Sequence, residues 1–206
     1  NTAVGNSALQ TQNFTSATNS YNTAMGFSAG TAVTTGTNNT LMGGKCGPSI
    51  TTGNYNVAYG VSALSANTTA HSNGAFGFKA LFANTTGANN NAFGDSALRA
   101  MTTGTMNSAF GNNAGTALTT AGTCVAVGFD ALKRATTSDN TTAVGKNAGA
   151  YITTSNNNTC LGMNAGAYIV NLTTGANNTG IGFAALGANT TGTRNTAVGA
   201  LAGDAN

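Results

Sequence analysis

Charged side chains are scarce in this chain of 206 residues. They make up 5% of the sequence, whereas about 25% is usual in a soluble domain, and glutamate is absent. Seven Lys and Arg residues and four Asp residues leave a net charge of +3. The basic residues stand singly, apart from Lys133 and Arg134. No basic stripe can therefore follow a phosphate backbone, and we predict no nucleic-acid partner.

The chain also lacks tryptophan and long apolar runs, and it has one proline. No apolar run approaches the roughly 18 residues of a membrane span, so we predict no membrane insertion. Alanine is the commonest apolar residue, which leaves little volume for the thick core of a conventional enzyme. Gly, Thr and Asn together supply 96 of the 206 residues, a composition that is also compatible with a disordered tract.

A strict repeat excludes the disordered interpretation. The motif Asn-Thr-Ala-apolar-Gly-x-x-Ala-(Leu or Gly) occurs twelve times, with its glycines 17 residues apart except for one step of 21 and one of 20. We number each repeat from this glycine, so that position −1 directly precedes it and +1 directly follows it. We expect structural turns at these recurrent glycines, which are Gly5, Gly26, Gly43, Gly60, Gly77, Gly94, Gly111, Gly128, Gly145, Gly162, Gly182 and Gly199.

The repeat predicts an all-β fold, a parallel β-solenoid or β-roll of about twelve 17-residue coils. Thr-Ala-Val triplets between Asn and Gly suit short strands, and a coil of this length leaves no room for a useful helix. We expect one solenoid domain over residues 1–206, stacked at about 4.8 Å per coil into a rod on the order of 55 Å long. Neither end shows a polar cap, so we expect an excerpt of a longer fibre or a unit that stacks end to end.

Each repeat position predicts a role, because stacked coils place equivalent residues above one another. Position −1 is apolar in every coil, and we expect it to be buried. Position −2 is nearly always small, and position −4 is Asn in ten of twelve coils, which predicts amide ladders between coils. Position +4 is either Leu or Gly, which indicates limited volume. The two longer coils carry their extra residues within 10–21 and around 167–172, where we expect small bulges on one corner.

A pair of threonines follows at positions +8 and +9 in nearly every coil. We single out Thr68, Thr69, Thr85, Thr86, Thr102 and Thr103 as candidate surface contacts. A regular Thr array on a flat solenoid face is typical of ice-binding proteins, so ice binding is an alternative function. Adjacent residues of a strand point to opposite faces, however, and the glycine that often follows the pair indicates a turn. One Thr would then satisfy backbone groups while the other is exposed.

We predict no catalytic, cofactor or metal site. The single histidine, His71, stands in a connector where an exposed loop residue is expected, and four Asp without Glu disfavour a paired-carboxylate site. Cys46, Cys124 and Cys160 fall in three different repeat positions, which matches neither a metal-ligand spacing nor a disulfide framework. We interpret Cys46 and Cys160 as buried replacements for small residues.

The repeat resembles those of bacteriophage and bacterial tail-fibre-type proteins, and it is similar to the head repeat of YadA-like trimeric autotransporter adhesins. The resemblance rests on Asn-Thr-Ala-Val-Gly at 1–5 and 195–199 and on Asn-Thr-Thr-Gly at 84–87 and 189–192. It covers all twelve coils, although the adhesin repeat is shorter. It implies a left-handed roll, a homotrimer and a receptor-binding surface, with the Thr2 and Val4 positions facing inward.

These observations lead to one principal hypothesis and two alternatives. The principal one is a non-enzymatic fibre segment of a phage tail fibre or bacterial surface adhesin, located outside the cell. It would act through reach and through multivalent attachment to a cell-surface glycan or protein receptor. The alternatives are ice binding through the Thr columns and a self-assembling extracellular filament that stacks end to end.

Overall fold

The computed structural model describes residues 1–14, 19–167 and 175–204. It confirms the predicted all-β parallel solenoid, in which each coil contributes one three-residue strand to a single parallel sheet of twelve strands in chain order. Among the described residues there is no helix. The strands are β1 Thr2–Val4, β2 Thr23–Met25, β3 Thr40–Met42, β4 Val57–Tyr59, β5 Gly74–Phe76, β6 Asn91–Phe93, β7 Ser108–Phe110, β8 Val125–Val127, β9 Thr142–Val144, β10 Thr159–Leu161, β11 Thr179–Ile181 and β12 Thr196–Val198.

The strands pair in register throughout, so each residue lies above its equivalent in the next coil. The two longer steps do not disturb this register, because Ala3 still pairs with Ala24 and Cys160 with Gly180. The bulges expected within 10–21 and around 167–172 fall largely on residues 15–18 and 168–174, which lie outside the described residues. The sheet therefore keeps its alignment whatever the length of the connection.

The prediction that position −1 is buried is wrong. The middle residue of each strand, position −2, points into the solenoid, and Ala58, Ala92 and Ala126 are almost fully buried there. Position −1 points outward because neighbouring strand residues face opposite sides, and 58% of Tyr59 is exposed. The inward orientation implied by the resemblance for the Thr2 and Val4 positions is wrong for the same reason. The inward column is the one to which Ala3 belongs.

The recurrent glycines form a column in which backbone contacts backbone. Their φ angles lie between +128° and +143°, a region that side chains rarely allow. A Cβ atom at Gly26 would lie 2.6 Å from the carbonyl oxygen of Gly43, and the coils as far as Gly182 are at least as tight. Any side chain at this corner would force the coils apart.

The interior beside the strands is filled by a large side chain that stands at position +4 in some coils and at position +7 in others. The coils of Leu64, Leu81 and Leu186, with Leu at +4, have Asn at +7. Most coils with Gly at +4 instead place a branched apolar residue at +7, and the buried members of this set are Val33, Ile50, Leu118 and Ile152. A Cβ atom at Gly115 would lie 2.9 Å from Leu118 Cδ1 and 2.8 Å from Leu98 Cδ2. In most coils one large side chain therefore fills this part of the core, from either position, and the coil of Leu98 buries Met101 as well.

Leucine accepts an unusual backbone conformation in order to fill this space. Leu64, Leu81 and Leu98 have φ values of 51°, 51° and 49°, in the left-handed region that costs a residue with a side chain roughly 1 to 2 kcal/mol. Complete burial of each side chain contributes about 1.5 to 3 kcal/mol. The burial of the leucine thus offsets the backbone strain, which explains why only Leu or Gly occurs at this position in the first eleven coils and Gly203 in the last.

A ladder of buried asparagines occupies position −4. The Asn90 Oδ1 atom accepts hydrogen bonds from the backbone N–H and the side-chain amide of Asn107, both at 3.0 Å. The Asn90 Nδ2 atom donates to the carbonyl oxygen of Gly104 at 2.8 Å, and the Asn90 backbone N–H donates to Asn73 Oδ1 at 3.0 Å. Every polar atom of the amide is thereby used in holding one coil to the next.

The exchange between +4 and +7 predicts a compensating pair of substitutions. Leu118→Ala leaves a cavity and should lower the free energy of unfolding by about 2 to 5 kcal/mol, and Gly115→Leu overpacks the same space at a cost of about 1 to 3 kcal/mol. The double variant should lose at least ~1 kcal/mol less than the sum of the two. Denaturant unfolding of the four proteins measures this coupling.

The matched control for that cycle joins Gly115→Leu to Leu64→Ala, which lies three coils away. Its two effects should add to within about 0.5 kcal/mol, because the sites share no contact. Simple additivity in the Gly115 and Leu118 pair would show that the two positions do not share one space.

The asparagine ladder predicts a large cost for Asn90→Ala. The substitution leaves the Asn107 N–H and the Gly104 carbonyl buried without partners, so unfolding should become easier by roughly 2 to 5 kcal/mol. Asn112→Ala, at an exposed asparagine, is the control and should change stability by less than about 0.5 kcal/mol. Equal denaturation midpoints for the two variants would contradict the role assigned to the ladder.

Candidate functional site

The main feature of the surface is a continuous line of apolar side chains along the outer face of the sheet, which we call the apolar stripe. It consists of the position −1 residues together with the apolar residues at +1. The position −1 residues are Val4, Met25, Met42, Tyr59, Phe76, Phe93, Phe110, Val127, Val144, Leu161, Ile181 and Val198. The apolar side chains at +1 that are substantially exposed are Phe27, Val61, Phe78, Phe129, Met163 and Phe183.

Aromatic rings in the middle of the apolar stripe stack on one another. The ring centroids of Phe76 and Phe93 are 4.4 Å apart and nearly parallel, and those of Phe93 and Phe110 are 4.7 Å apart. Because these rings cover one another's faces, they present mainly their edges outward. The stacks stabilise the spacing between coils and leave a row of apolar edges on the surface.

The apolar stripe is large for a surface that faces water. With twelve strands spaced by about 4.8 Å it runs for roughly 50 Å and covers on the order of 500 Å², near the upper end of the patches of about 300 to 600 Å² that single soluble chains expose. Toward its beginning it contains a shallow depression of about 350 Å³, lined mainly by Met25, Met42, Tyr59 and Val61. The apolar stripe is therefore the candidate functional surface of this chain.

Sequence reasoning missed the apolar stripe because it assigned the apolar column to the interior. A usable signal was present in the sequence. Rings as large as Tyr59 and Phe93 stand beside Ala at position −2, and the two neighbours must face opposite sides of a strand. An interior lined by alanine is too narrow for a column of aromatic rings.

The candidate threonines divide into two sets. The hydroxyl groups of Thr68, Thr85 and Thr102 donate to the backbone carbonyl of the first threonine in the next coil, at 3.3, 3.1 and 3.1 Å. The second threonines, Thr69, Thr86 and Thr103, are exposed at a bend. The pair therefore presents one exposed column and not a two-column flat array.

The single histidine is exposed and takes part in the stacking of the corners. Its Nδ1 atom accepts a hydrogen bond from the backbone N–H of Asn54 at 3.0 Å. The carboxylate of Asp139 plays the same role for Gly122, at 2.7 Å. His71 thus acts as a hydrogen-bond acceptor between coils, in a position where other coils use Asn or Asp.

All three cysteines are buried free thiols. Desolvation raises the pKa of Cys46 and of Cys160 to about 12, and that of Cys124 to about 11. Cys124 stands in the asparagine column, and its thiol donates to the carbonyl oxygen of Ser138 at 2.8 Å. Protonated, enclosed thiols of this kind are poor nucleophiles and poor metal ligands.

Within the described residues, no three His, Cys, Asp or Glu side chains lie close enough together to hold a metal ion. The same part of the chain contains no helix that could cross a membrane. Comparisons with protein-family models, curated proteins and solved structures found no match to this chain.

The buried thiols predict a specific alkaline sensitivity. Below the unfolded thiol pKa of about 8.5 their contribution to stability is intact. As the pH rises from there toward the folded values, the unfolded state loses its protons first, and stability should fall by about 1.4 kcal/mol per pH unit for each thiol. Unfolding measured between neutral and strongly alkaline pH tests this.

Cys46→Ala is the matching variant, because every other coil has Ala at this position. It should fold normally and show a shallower alkaline loss than the parent protein. In the folded parent at pH 8, a soluble thiol reagent should label none of the cysteines until denaturant is added. Rapid labelling of the native protein would contradict the assignment of enclosed thiols.

Proposed function

We propose that this chain is a non-enzymatic structural segment of an extracellular fibre, of the tail-fibre or surface-adhesin kind, whose copies associate through the apolar stripe. The observation that carries the proposal is the outward orientation of position −1 in all twelve strands. A soluble chain that places a ring or branched apolar side chain outside in coil after coil has a surface to cover.

The shape of the apolar stripe favours other copies of the same chain as the covering partner. The stripe lies on in-register strands of constant spacing, so the stripe of a parallel copy has the same period and can be matched coil by coil. The outer face of the sheet, about 50 Å long and about 10 Å wide, offers on the order of 500 Å², which is somewhat less than the roughly 800 Å² that each partner contributes to an interface of standard size.

A closed trimer suits this geometry. Each chain has one such stripe, and a rotation axis parallel to the rods would bring three stripes together while keeping the coils level. Closed symmetry leaves no stripe uncovered. The resemblance of the repeat to trimeric fibre and adhesin heads points the same way.

Such a fibre would act through the length of its stiff rod and through the repetition of its surface sites. A stack of nearly identical coils forms a stiff rod, whose stability accumulates through contacts between neighbours. Chains held parallel would present any surface site three times, so individually weak contacts with a receptor or glycan would add up through avidity.

Sedimentation equilibrium of the purified protein tests the association. We expect the parent protein to form trimers, and Tyr59→Lys combined with Ile181→Lys to raise the dissociation constant at least tenfold, or about 1.4 kcal/mol, because lysines would be brought together within an apolar contact. Circular dichroism and thermal unfolding show whether the variant remains folded.

The matched control is Tyr55→Lys. This tyrosine is 62% exposed, comparable with Tyr59 at 58%, but it lies at the turn before the asparagine column and not on the stripe. It should leave the assembly unchanged. A parent protein that remains monomeric at all concentrations, or a control that dissociates as readily as the stripe variant, would refute association through the stripe.

A further inference from the structure

A second surface feature is a groove that spans two adjacent coils, which we call the basic groove. It has a volume of about 300 Å³. Its charged and aromatic lining residues are Phe129, Asp130, Lys133, Arg134, Lys146 and Tyr151. These residues follow the recurrent glycines Gly128 and Gly145, so the groove begins at the edge of the apolar stripe and continues round the next corner.

Positive charge is concentrated in the basic groove. Three of the chain's seven basic residues line it, against one of its four acidic residues, so the residues that line the groove carry a net charge of +2. Like charges on neighbouring strands destabilise a stack, and this chain otherwise avoids them by having few charges at all. A cluster of three cations is therefore an exception that stacking alone does not explain.

Two of the cations are held in place by their neighbours. Lys133 Nζ lies 2.7 Å from Asp130 Oδ2, and the other carboxylate oxygen of Asp130 accepts a hydrogen bond from Asn113 Nδ2 at 3.0 Å. The guanidinium carbon of Arg134 lies 4.6 Å from the centroid of the Tyr151 ring. These contacts order the side chains before any ligand arrives, which lowers the entropic cost of binding.

The third cation has no such partner. The Lys146 ammonium group makes no hydrogen bond or ion pair with the residues that the structure describes, and its side chain is exposed beside the groove. A single carboxylate, already paired with Lys133, does not neutralise Arg134 and Lys146. The groove is thus suited to bind an anionic group of another molecule.

The aromatic lining of the basic groove indicates which class of anionic ligand it can bind. Tyr151 supplies a ring outside the apolar stripe, whereas Phe129, at the other side of the groove, belongs to the stripe. The negative face of an aromatic ring attracts the C–H groups of a flat apolar partner, while cations bind carboxylate or sulfate groups. A sugar ring that carries an anionic group has both features. A nucleic acid would need a longer track of cations than three.

We propose that the basic groove binds an acidic saccharide, with Arg134 and Lys146 contacting its carboxylate or sulfate group and Tyr151 contacting the sugar ring. The inference builds on the proposed attachment function and names the class of glycan. One groove per chain gives three in a trimer, and shallow sites of this kind depend on multivalency for useful affinity.

Isothermal titration with a galacturonate tetrasaccharide tests the proposal. We expect saturable binding to the parent protein and no binding of the carboxyl-reduced, neutral form of the same tetrasaccharide. Arg134→Ala and Lys146→Ala should each weaken binding at least tenfold. A sulfated tetrasaccharide forms a parallel arm, and whichever of the two acidic sugars binds more tightly identifies the preferred anionic group.

Lys45→Ala and Arg99→Ala are the matched controls, because each removes one positive charge outside the groove. They should leave the affinity unchanged. Failure of both acidic sugars to bind, or an equal loss in the control variants, would overturn the proposal. Binding of inorganic sulfate as tight as that of either acidic sugar would also overturn it, since a simple anion site would then account for the groove.

Sedimentation of the same groove variants separates this inference from the proposed association. The Arg134→Ala variant should stay assembled, because Arg134 lies off the apolar stripe, whereas Lys146 stands in the +1 column at its border. A variant that remains a trimer but no longer binds the sugar tests the groove proposal without affecting the proposed association. A monomeric parent protein that still binds the acidic sugar would refute the association while leaving the groove in place.

Discussion

The in-register stacking of coils at a single strand spacing is the constraint on which this structure depends. Each side chain lies directly above its equivalent, so every position must accept a copy of itself about 4.8 Å away. The corner glycines meet this condition by having no side chain. The asparagines meet it with an amide whose oxygen accepts from the next coil and whose nitrogen donates onward. A charged side chain repeated in the next coil would be repelled by its equivalent, which accounts for the scarcity of charged residues.

A narrow interior follows from the same constraint and leads to the proposed function. Alanine lines most of the inward side of the strands, and most coils bury one large side chain beside it, from position +4 or from position +7. The largest apolar residues, Tyr59 and the stacked Phe76, Phe93 and Phe110, are therefore outside. A fold with so thin a core leaves these large apolar side chains on its surface.

The basic groove stands out because it departs from the pattern that governs the other coils. Its two coils concentrate like charges that the rest of the chain avoids. They are also the two that lack asparagine in the ladder, where Cys124 and Thr141 replace it. Residues that recur in every coil are explained by their role in stacking. Residues that depart from the repeat are therefore the better candidates for binding a ligand.

The strict period was enough to predict the solenoid, the register, the corner glycines and the asparagine column, because it places equivalent residues in contact whatever the shape of the coil. The sequence carried one signal for the inward side of the strand, the size of the aromatic rings at −1. It did not establish that side, because both Ala at −2 and Val or Phe at −1 are apolar and a three-residue strand is too short to show alternation. Nor could it bring Lys146 beside Lys133 and Arg134, which lie 13 and 12 residues earlier in the chain. Only the winding of the coil decided these points, since it sets which columns enclose the interior and which meet at a corner.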